Sequence, residues 1–233
     1  EENGTLVYNA EDKEVEKIAI KQKKRIQLIP YSTPNYDVEE EGTIFHYEGQ
    51  AFPLKIFGNH NLQNLNGAMK IANSIGISSV DFLNAMKNFT GAGKRLEKVS
   101  ETPERIIYKD FAHSPSKLKA TTAAVKEQYP DRKLIACMEL HTFSSLKKDF
   151  LPQYEDAMKA ADAACVYFSP KVVAHKKLEP ITKEDVLKGF GGNILVETET
   201  QKVLDFISRE STNNMVLLMM SSGNFDGIDY DKL

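Results

Sequence analysis

Four short polar segments follow apolar runs in the second half of the chain. They are Asp110-Phe111-Ala112-His113-Ser114-Pro115, Glu139-Leu140-His141-Thr142, Ser169-Pro170-Lys171 and Ser221-Ser222-Gly223-Asn224. In an open α/β sheet a ligand lies beyond the carboxyl ends of the strands, so polar groups recurring at strand ends mark one edge as a site. Imidazoles, hydroxyls and carboxylates there can orient a polar substrate or move its protons. A second candidate is Gly58-Asn59-His60-Asn61-Leu62-Gln63-Asn64 at the start of a helix, with Asn59 read as its N-cap. His60 and Asn64 are four residues apart on one face, with Asn61 beside them. Such groups at a helix N-terminus can hydrogen-bond a base edge or a phosphate.

Other chemistries are excluded by pattern. The first βα turn of the second half has no Gly-x-Gly-x-x-Gly. Thr90-Gly91-Ala92-Gly93-Lys94-Arg95 imitates a phosphate loop. However, Asn88 stands where its first glycine belongs, Arg95 replaces the metal-binding hydroxyl, and the segment follows a helix. His46, His60, His113, His141 and His175 lack metal-ligand spacing, so no metal site is expected. Cys137 and Cys165 sit in apolar runs and read as core thiols of a reducing compartment. No Gly-x-Ser-x-Gly elbow is present.

These residues need elements to position them. In the first half, Leu6–Ala10 and Ile26–Tyr31 read as strands around a helix in 12–22. Thr43–Tyr47 and Ala51–Phe57 read as a hairpin, and helices follow from Asn59 and over Ser79–Lys87. Phe89-Thr90-Gly91-Ala92-Gly93 then breaks the pattern and marks a domain boundary, giving domains 1–90 and 91–233. Beyond it, strands at Arg105–Asp110, Lys133–Leu140, Ala164–Ser169, Asn193–Glu197 and Met215–Ser221 alternate with helices. Those helices are expected at Ser116–Gln128, Asp149–Ala161, Lys183–Lys188 and Glu199–Arg209. The pattern predicts an α/β fold with a Rossmann-like open, mostly parallel sheet.

The 233 residues are 41% hydrophobic and 27% charged, with a net charge of -3, enough for a buried core. No global field recruits nucleic acid or a membrane surface, and the basic run Lys21–Arg25 suits the end of a helix. No apolar run approaches the roughly 18 residues of a membrane span. A soluble cytoplasmic protein is expected. The start, Glu1-Glu2-Asn3-Gly4, lacks an initiator Met and reads as a cut from a longer chain.

Three segments resemble motifs of the Mur ligases, ATP-dependent enzymes that join amino acids or peptides to UDP-N-acetylmuramate. Gly58-Asn59-His60-Asn61-Leu62-Gln63-Asn64-Leu65-Asn66-Gly67-Ala68 is similar to their Gly-x-His-Asn-x-x-Asn-x-x-Ala-Ala helix. Phe89-Thr90-Gly91-Ala92-Gly93-Lys94-Arg95-Leu96-Glu97 resembles their interdomain Phe-x-Gly-Val-x-Arg-Arg-x-Glu. Asp110-Phe111-Ala112-His113-Ser114-Pro115 resembles Asp-Tyr-Ala-His-x-Pro.

The resemblance implies the last part of a central, ATP-binding domain followed by the C-terminal domain. It implies ATP as cofactor, with Mg2+ held mainly by an upstream part that carries the phosphate loop. It assigns His60, Asn61, Asn64, Arg95 and Asp110 to ATP, and His113 and Lys117 to the centre where an amine attacks an acyl phosphate. Phe111, His141, Thr142, Ser145, Ser222 and Asn224 are implied for the acceptor. The implied partners are UDP-N-acetylmuramate and a murein peptide or amino acid.

Within the family, the His141-Thr142-Phe143-Ser144-Ser145 segment lacks the arginine that closes the matching segment of members taking L-alanine. The end, Met220–Ile228, resembles members taking L-alanyl-γ-D-glutamyl-meso-diaminopimelate, which makes the peptide the expected acceptor and Ser145→Arg the change expected to favour L-alanine. The alternatives are a member that adds L-alanine to UDP-N-acetylmuramate, a non-catalytic precursor-binding relative, and another amide-forming ligase such as a folylpolyglutamate or cyanophycin synthetase.

Overall fold

Gly91 takes a φ of +102°, a conformation suited to glycine, and the chain divides there into units ending and beginning at Thr90 and Gly91. The computed structural model describes residues 4–230 and Leu233.

In the first unit, β1 (Thr5–Asn9) and β2 (Gln27–Tyr31) run parallel, from Thr5 opposite Gln27 to Asn9 opposite Tyr31. They are joined by α1 (Lys13–Ile20), capped by Asp12, which accepts the N–H groups of Glu14 and Val15 at 3.0 and 3.1 Å. β3 (Tyr36–Glu39), β4 (Gly42–Tyr47) and β5 (Gln50–Leu54) form an antiparallel sheet. Glu48 and Gly49 both take positive φ in the two-residue turn between β4 and β5, which matches the twist of a hairpin. α2 (Asn59–Ser74) and α3 (Ser79–Met86) complete the unit. Leu62, Leu65 and Met69 of α2 and Leu83 of α3 pack on Phe45, Phe52 and Leu54.

Two expectations change here. β3 was not foreseen, because it is only four residues long and three of them are exposed. The cap of α2 is Gly58, at a φ of +86°, and not Asn59. Asn59 is the first helical residue, and its Oδ1 accepts from the Thr33 hydroxyl at 2.8 Å.

The second unit runs β6 (Glu97–Glu101), β7 (Arg105–Asp110), α4 (Pro115–Gln128) and β8 (Lys133–Leu140). A 3₁₀ helix (Lys148–Tyr154), β9 (Ala163–Phe168), α5 (Pro170–His175) and α6 (Lys183–Gly189) follow. β10 (Leu195–Glu197), α7 (Thr200–Glu210) and β11 (Met215–Met220) end it. The sheet order is β10-β9-β8-β11-β7-β6; β6 is antiparallel to β7 and the other pairings are parallel. Ile107, Ile135, Cys137, Cys165, Leu217 and Met219 line one face under Val203, Phe206 and Ile207 of α7. On the other face, Thr122 of α4 reaches the Met220 sulfur at 3.9 Å.

The expected helix over Asp149–Ala161 is instead the 3₁₀ helix followed by turns. Pro152 lacks the N–H a helix interior needs, and Asp156 takes a φ of +57° just after. β6 and α5 are additions. The first is charged and exposed at an edge, and the second is only six residues long.

Asp162 ties three elements of the second unit. Its Oδ2 accepts from Leu134 N at 2.7 Å and from Lys126 Nζ at 2.8 Å. Burial pushes this carboxyl up, but the Lys126 and Leu134 hydrogen bonds outweigh it and hold it below the usual range. A lowered folded pKa stabilises at pH above the ordinary carboxyl value, and that part is lost as pH falls through the folded value. Asp162→Asn should therefore lower stability at pH 7 by about 1 kcal/mol, a modest figure because the side chain is 40% exposed. The deficit should shrink at a pH below the ordinary carboxyl range, as urea unfolding at the two pH values would check.

The two units should also differ in protease resistance. The sheet of the second has helices on both faces, whereas β1 and β2 form a two-stranded sheet whose outer edges are unpaired among the described residues. Limited proteolysis should leave a core that begins near residue 91 and lose the first unit sooner. Survival of the first unit alone would contradict this.

Candidate functional site

β7 delivers Asp110 to the carboxyl edge of the sheet. Its buried carboxylate accepts Leu96 N at 2.7 Å and Ala112 N at 2.6 Å, with Thr121 Oγ1 at 3.5 Å. Lys94 and Leu96 both take positive φ in this turn, and Phe111 N donates to Lys94 O at 2.9 Å. The result is a row of rings and charge. The Arg95 guanidinium lies 5.3 Å from the Phe111 ring centre, and Phe111 meets the His113 ring edge-on at 5.1 Å.

His113 Nδ1 is 2.8 Å from Phe111 O. A carbonyl only accepts, so Nδ1 carries the proton and Nε2 of the neutral ring keeps its lone pair. The His113 carbonyl in turn accepts from the Tyr154 hydroxyl at 2.6 Å, and Tyr154 stacks on Phe190 at 4.8 Å. Burial pushes the Tyr154 phenol up, and the Ser145 side chain opposes it only in part. Lys117 is exposed in the first turn of α4. Arg95 is also exposed, and neither cation forms an ion pair among the described residues.

A second cluster joins the ends of β8 and β11. Glu139 is 3% exposed, and its Oε2 accepts the Ser221 hydroxyl and, at 2.8 Å, Phe225 N. Ser221 Oγ accepts Gly223 N at 2.6 Å. Glu139 Oε1 lies 3.4 Å from His141 Nδ1, and no lysine or arginine pairs with Glu139 among the described residues. The nearby Tyr230 phenol is pushed up to about 12, by burial first and then by the charge of Glu139. His141 Nδ1 and Ser222 Oγ are buried without an aligned hydrogen-bond partner among the described residues. Asn224 is exposed, and its carbonyl accepts Gly227 N at 3.0 Å.

The turn after β8 requires a correction. Ser145 has no exposed surface, and its hydroxyl donates to Thr142 O at 3.0 Å and accepts from Thr142 Oγ1 at 2.9 Å. It is a turn residue without surface to offer an acceptor, and Ser145→Arg would bury a guanidinium. Thr142 spends its hydroxyl in the same turn. Two residues outside the expected set stand nearby instead. Phe143 is 58% exposed, and Lys176 Nζ lies 4.3 Å from its ring centre. Lys176 was hidden because α5, which it follows, has no clear sequence signal. Glu139 was read as one polar residue ending an apolar strand.

In the first unit, the Asn61 side-chain amide donates to Phe57 O at 2.9 Å, and Asn64 is exposed one turn later. His60 is half-buried beside them. Gln63 and Asn66, between and beyond, are held within the unit by Thr33 and Ser32 O, each at 2.8 Å.

Cys137 and Cys165 are free and opposite one another on β8 and β9. Burial pushes the Cys165 thiol up to about 12 and Cys137 well above its usual value, as suits core thiols. Among the described residues no three His, Cys, Asp or Glu side chains gather to hold a metal ion. None of the described helices is long and apolar enough to cross a membrane.

This geometry can be compared with known proteins. The UDP-N-acetylmuramate–L-alanine ligase of Caldicellulosiruptor bescii is 32% identical over 183 residues, 70% of this chain and 38% of the relative. This chain thus spans well under half the length of that relative. The murein peptide ligase of Psychrobacter arcticus has a similar fold, with a TM-score of 0.61 at 19% identity, over 99% of this chain and 50% of that one. MurF of Acinetobacter baumannii gives a TM-score of 0.71 at 17% identity, over 94% and 49%. These likenesses agree with the expected α/β class and its mostly parallel sheet. A family profile described as Mur ligase, glutamate ligase domain, matches residues 94–223. That is more than half of the chain, which belongs to the Mur ligase family and carries its C-terminal domain.

Proposed function

We propose that the whole protein is an ATP-dependent ligase of cell-wall synthesis that joins an acceptor amine to the carboxylate of UDP-N-acetylmuramate. The observation that carries this reading is the family match over 94–223, within which Arg95, Phe111 and His113 form one row. In this reading residues 1–90 are the end of the central domain and 91–233 the C-terminal domain of a cytoplasmic enzyme.

ATP, when bound, supplies the phosphoryl group that activates the carboxylate. Arg95 fits a phosphate: its guanidinium is exposed and steadied by Phe111, without a competing carboxylate among the described residues. Asp110 fits less freely, because both of its oxygens already hold backbone amides, so its part is to shape the turn that presents Arg95. Asn61 and Asn64 are proposed for the adenine, with His60 beside them. His113 offers an Nε2 lone pair and Lys117 a mobile cation near the reacting groups. The described residues gather no ligand set for Mg2+, so no step is assigned to it.

The acceptor we propose is L-alanyl-γ-D-glutamyl-meso-diaminopimelate. The turn 141–145 contains no arginine to clamp a lone amino-acid carboxylate, and a peptide spreads its binding over several carboxylates and amides. His141, Ser222 and Asn224 supply polar groups, and Lys176 over Phe143 supplies the nearby cation. Phe111 is proposed to border the same ligand. The second reading, L-alanine as acceptor, is favoured by the names of curated relatives such as that of Caldicellulosiruptor bescii.

Phosphate release by the full-length protein, with UDP-N-acetylmuramate and either acceptor, tests both readings. The tripeptide should exceed L-alanine in kcat/KM by at least about tenfold, since a lost bidentate arginine is worth about 2–3 kcal/mol. A preference for L-alanine would establish the second reading. Arg95→Ala in the same protein should lower kcat/KM for ATP by about 30- to 150-fold, the kinetic equivalent of that energy. The 233 residues alone should release no phosphate, because their sequence contains no phosphate loop.

A further inference from the structure

We propose that Glu139 is a positioning residue: its buried carboxylate holds His141 with the proton on Nδ1 and thereby presents the Nε2 lone pair at the edge of the sheet. Glu139 Oε2 receives two hydrogen bonds whose direction is fixed, one from the Ser221 hydroxyl and one from the Phe225 amide. The Ser221 hydroxyl has its oxygen occupied by Gly223 N–H, so its own proton goes to Glu139. Oε1 is then the remaining oxygen, and it lies 3.4 Å from His141 Nδ1. Two acceptors cannot face each other favourably, so Nδ1 is the protonated nitrogen of the neutral ring. Nδ1 is buried, so the ring's exposed surface lies elsewhere on it.

A glycine closes the arrangement. A Cβ on residue 223 would come within 2.7 Å of Glu139 Oε2 and 2.9 Å of His141 Nδ1. The backbone therefore passes directly over the pair and keeps other side chains off it. Within the ligase reading, on which this clause alone rests, the Nε2 lone pair meets an N–H of the acceptor amine.

Glu139→Gln tests the idea with little change of shape. The two donors to Oε2 require the amide oxygen of the new side chain to sit there. Its NH2 then faces His141 Nδ1, which must become the bare nitrogen. Long-range 1H–15N correlation of the imidazoles in this chain, at a pH where His141 is neutral, reads the tautomer; loss of a signal in His141→Gln assigns it. The expected result is Nδ1–H in the unmodified protein, exchange of the N–H and bare-nitrogen signals in Glu139→Gln, and no exchange in Ser221→Ala, which keeps the carboxylate.

An Nε2–H signal in the unmodified protein overturns the proposal, even if Glu139→Gln fails to fold. So does an unchanged tautomer in folded Glu139→Gln, or an exchange in Ser221→Ala. In the full-length protein, Glu139→Gln should lower kcat/KM for the acceptor about tenfold with the KM for ATP unchanged. Absence of acceptor-dependent turnover in the unmodified full-length protein would defeat the ligase reading, while the tautomer still decides the role of Glu139.

Discussion

β11, the last strand in sequence, is inserted between β8 and β7 and bonded to both along its whole length. Met215 sits opposite Arg105 and Lys133, and Met220 opposite Asp110 and Met138. All six of its side chains are buried, as suits a strand paired on both sides in the middle of a covered sheet. Without it, β6 and β7 would lose the pairing that joins them to β8, β9 and β10. The carboxyl edge exists in its present form because β11 brings residues 221–225 between the ends of its two neighbours. Ser221 N donates to Asp110 O at 3.0 Å on one side, and the Ser221 hydroxyl donates to Glu139 on the other.

Polar groups at that edge divide by what their hydrogen bonds already do. Asp110 and Ser145 are buried and their polar atoms are occupied, Asp110 by the amides of Leu96 and Ala112 and Ser145 within its own turn. A buried carboxylate or hydroxyl without such partners would cost several kcal/mol, so these bonds account for their burial. Arg95, Lys117 and Lys176 carry charge without a carboxylate partner among the described residues, and they are the groups a ligand can recruit. Between the two kinds stands His113. Its Nδ1 and carbonyl are fixed by Phe111 and Tyr154, and Nε2 is left for another molecule.

The sequence makes legible the elements whose burial is two-sided. The runs 133–140 and 215–220 are nearly all apolar, because a central parallel strand is covered on both faces. It hides the elements whose residues answer to solvent: β6 and β3 are charged, and α5 is too short for a periodicity. It also misleads where backbone conformation decides. Asn59 is a good capping residue by type, yet the positive φ that turns the chain into α2 belongs to Gly58. In the candidate site, Phe111 and His113 were legible as members of one motif and Arg95 as a member of another, and the structure brings the three into one row. Ser145 was placed at the acceptor by its position in the family segment, which says nothing of its burial in the turn. Glu139 was seen but given no role, since its partners Ser221 and Phe225 lie 82 and 86 residues away.

That distance gives Glu139 its significance. A carboxylate buried with no lysine or arginine partner among the described residues needs donors, and it takes one from a side chain and one from the backbone of the segment after β11. The same two donors bind that segment to β8 and leave the second oxygen facing His141. One buried charge thus couples the closure of the sheet to the orientation of an imidazole at its edge. A neutral side chain of equal shape could keep the first function, since an amide oxygen accepts as a carboxylate oxygen does. It could not keep the second, because its other atom donates. The requirement for two acceptor atoms on opposite sides of one planar group selects a carboxylate at position 139 over an amide.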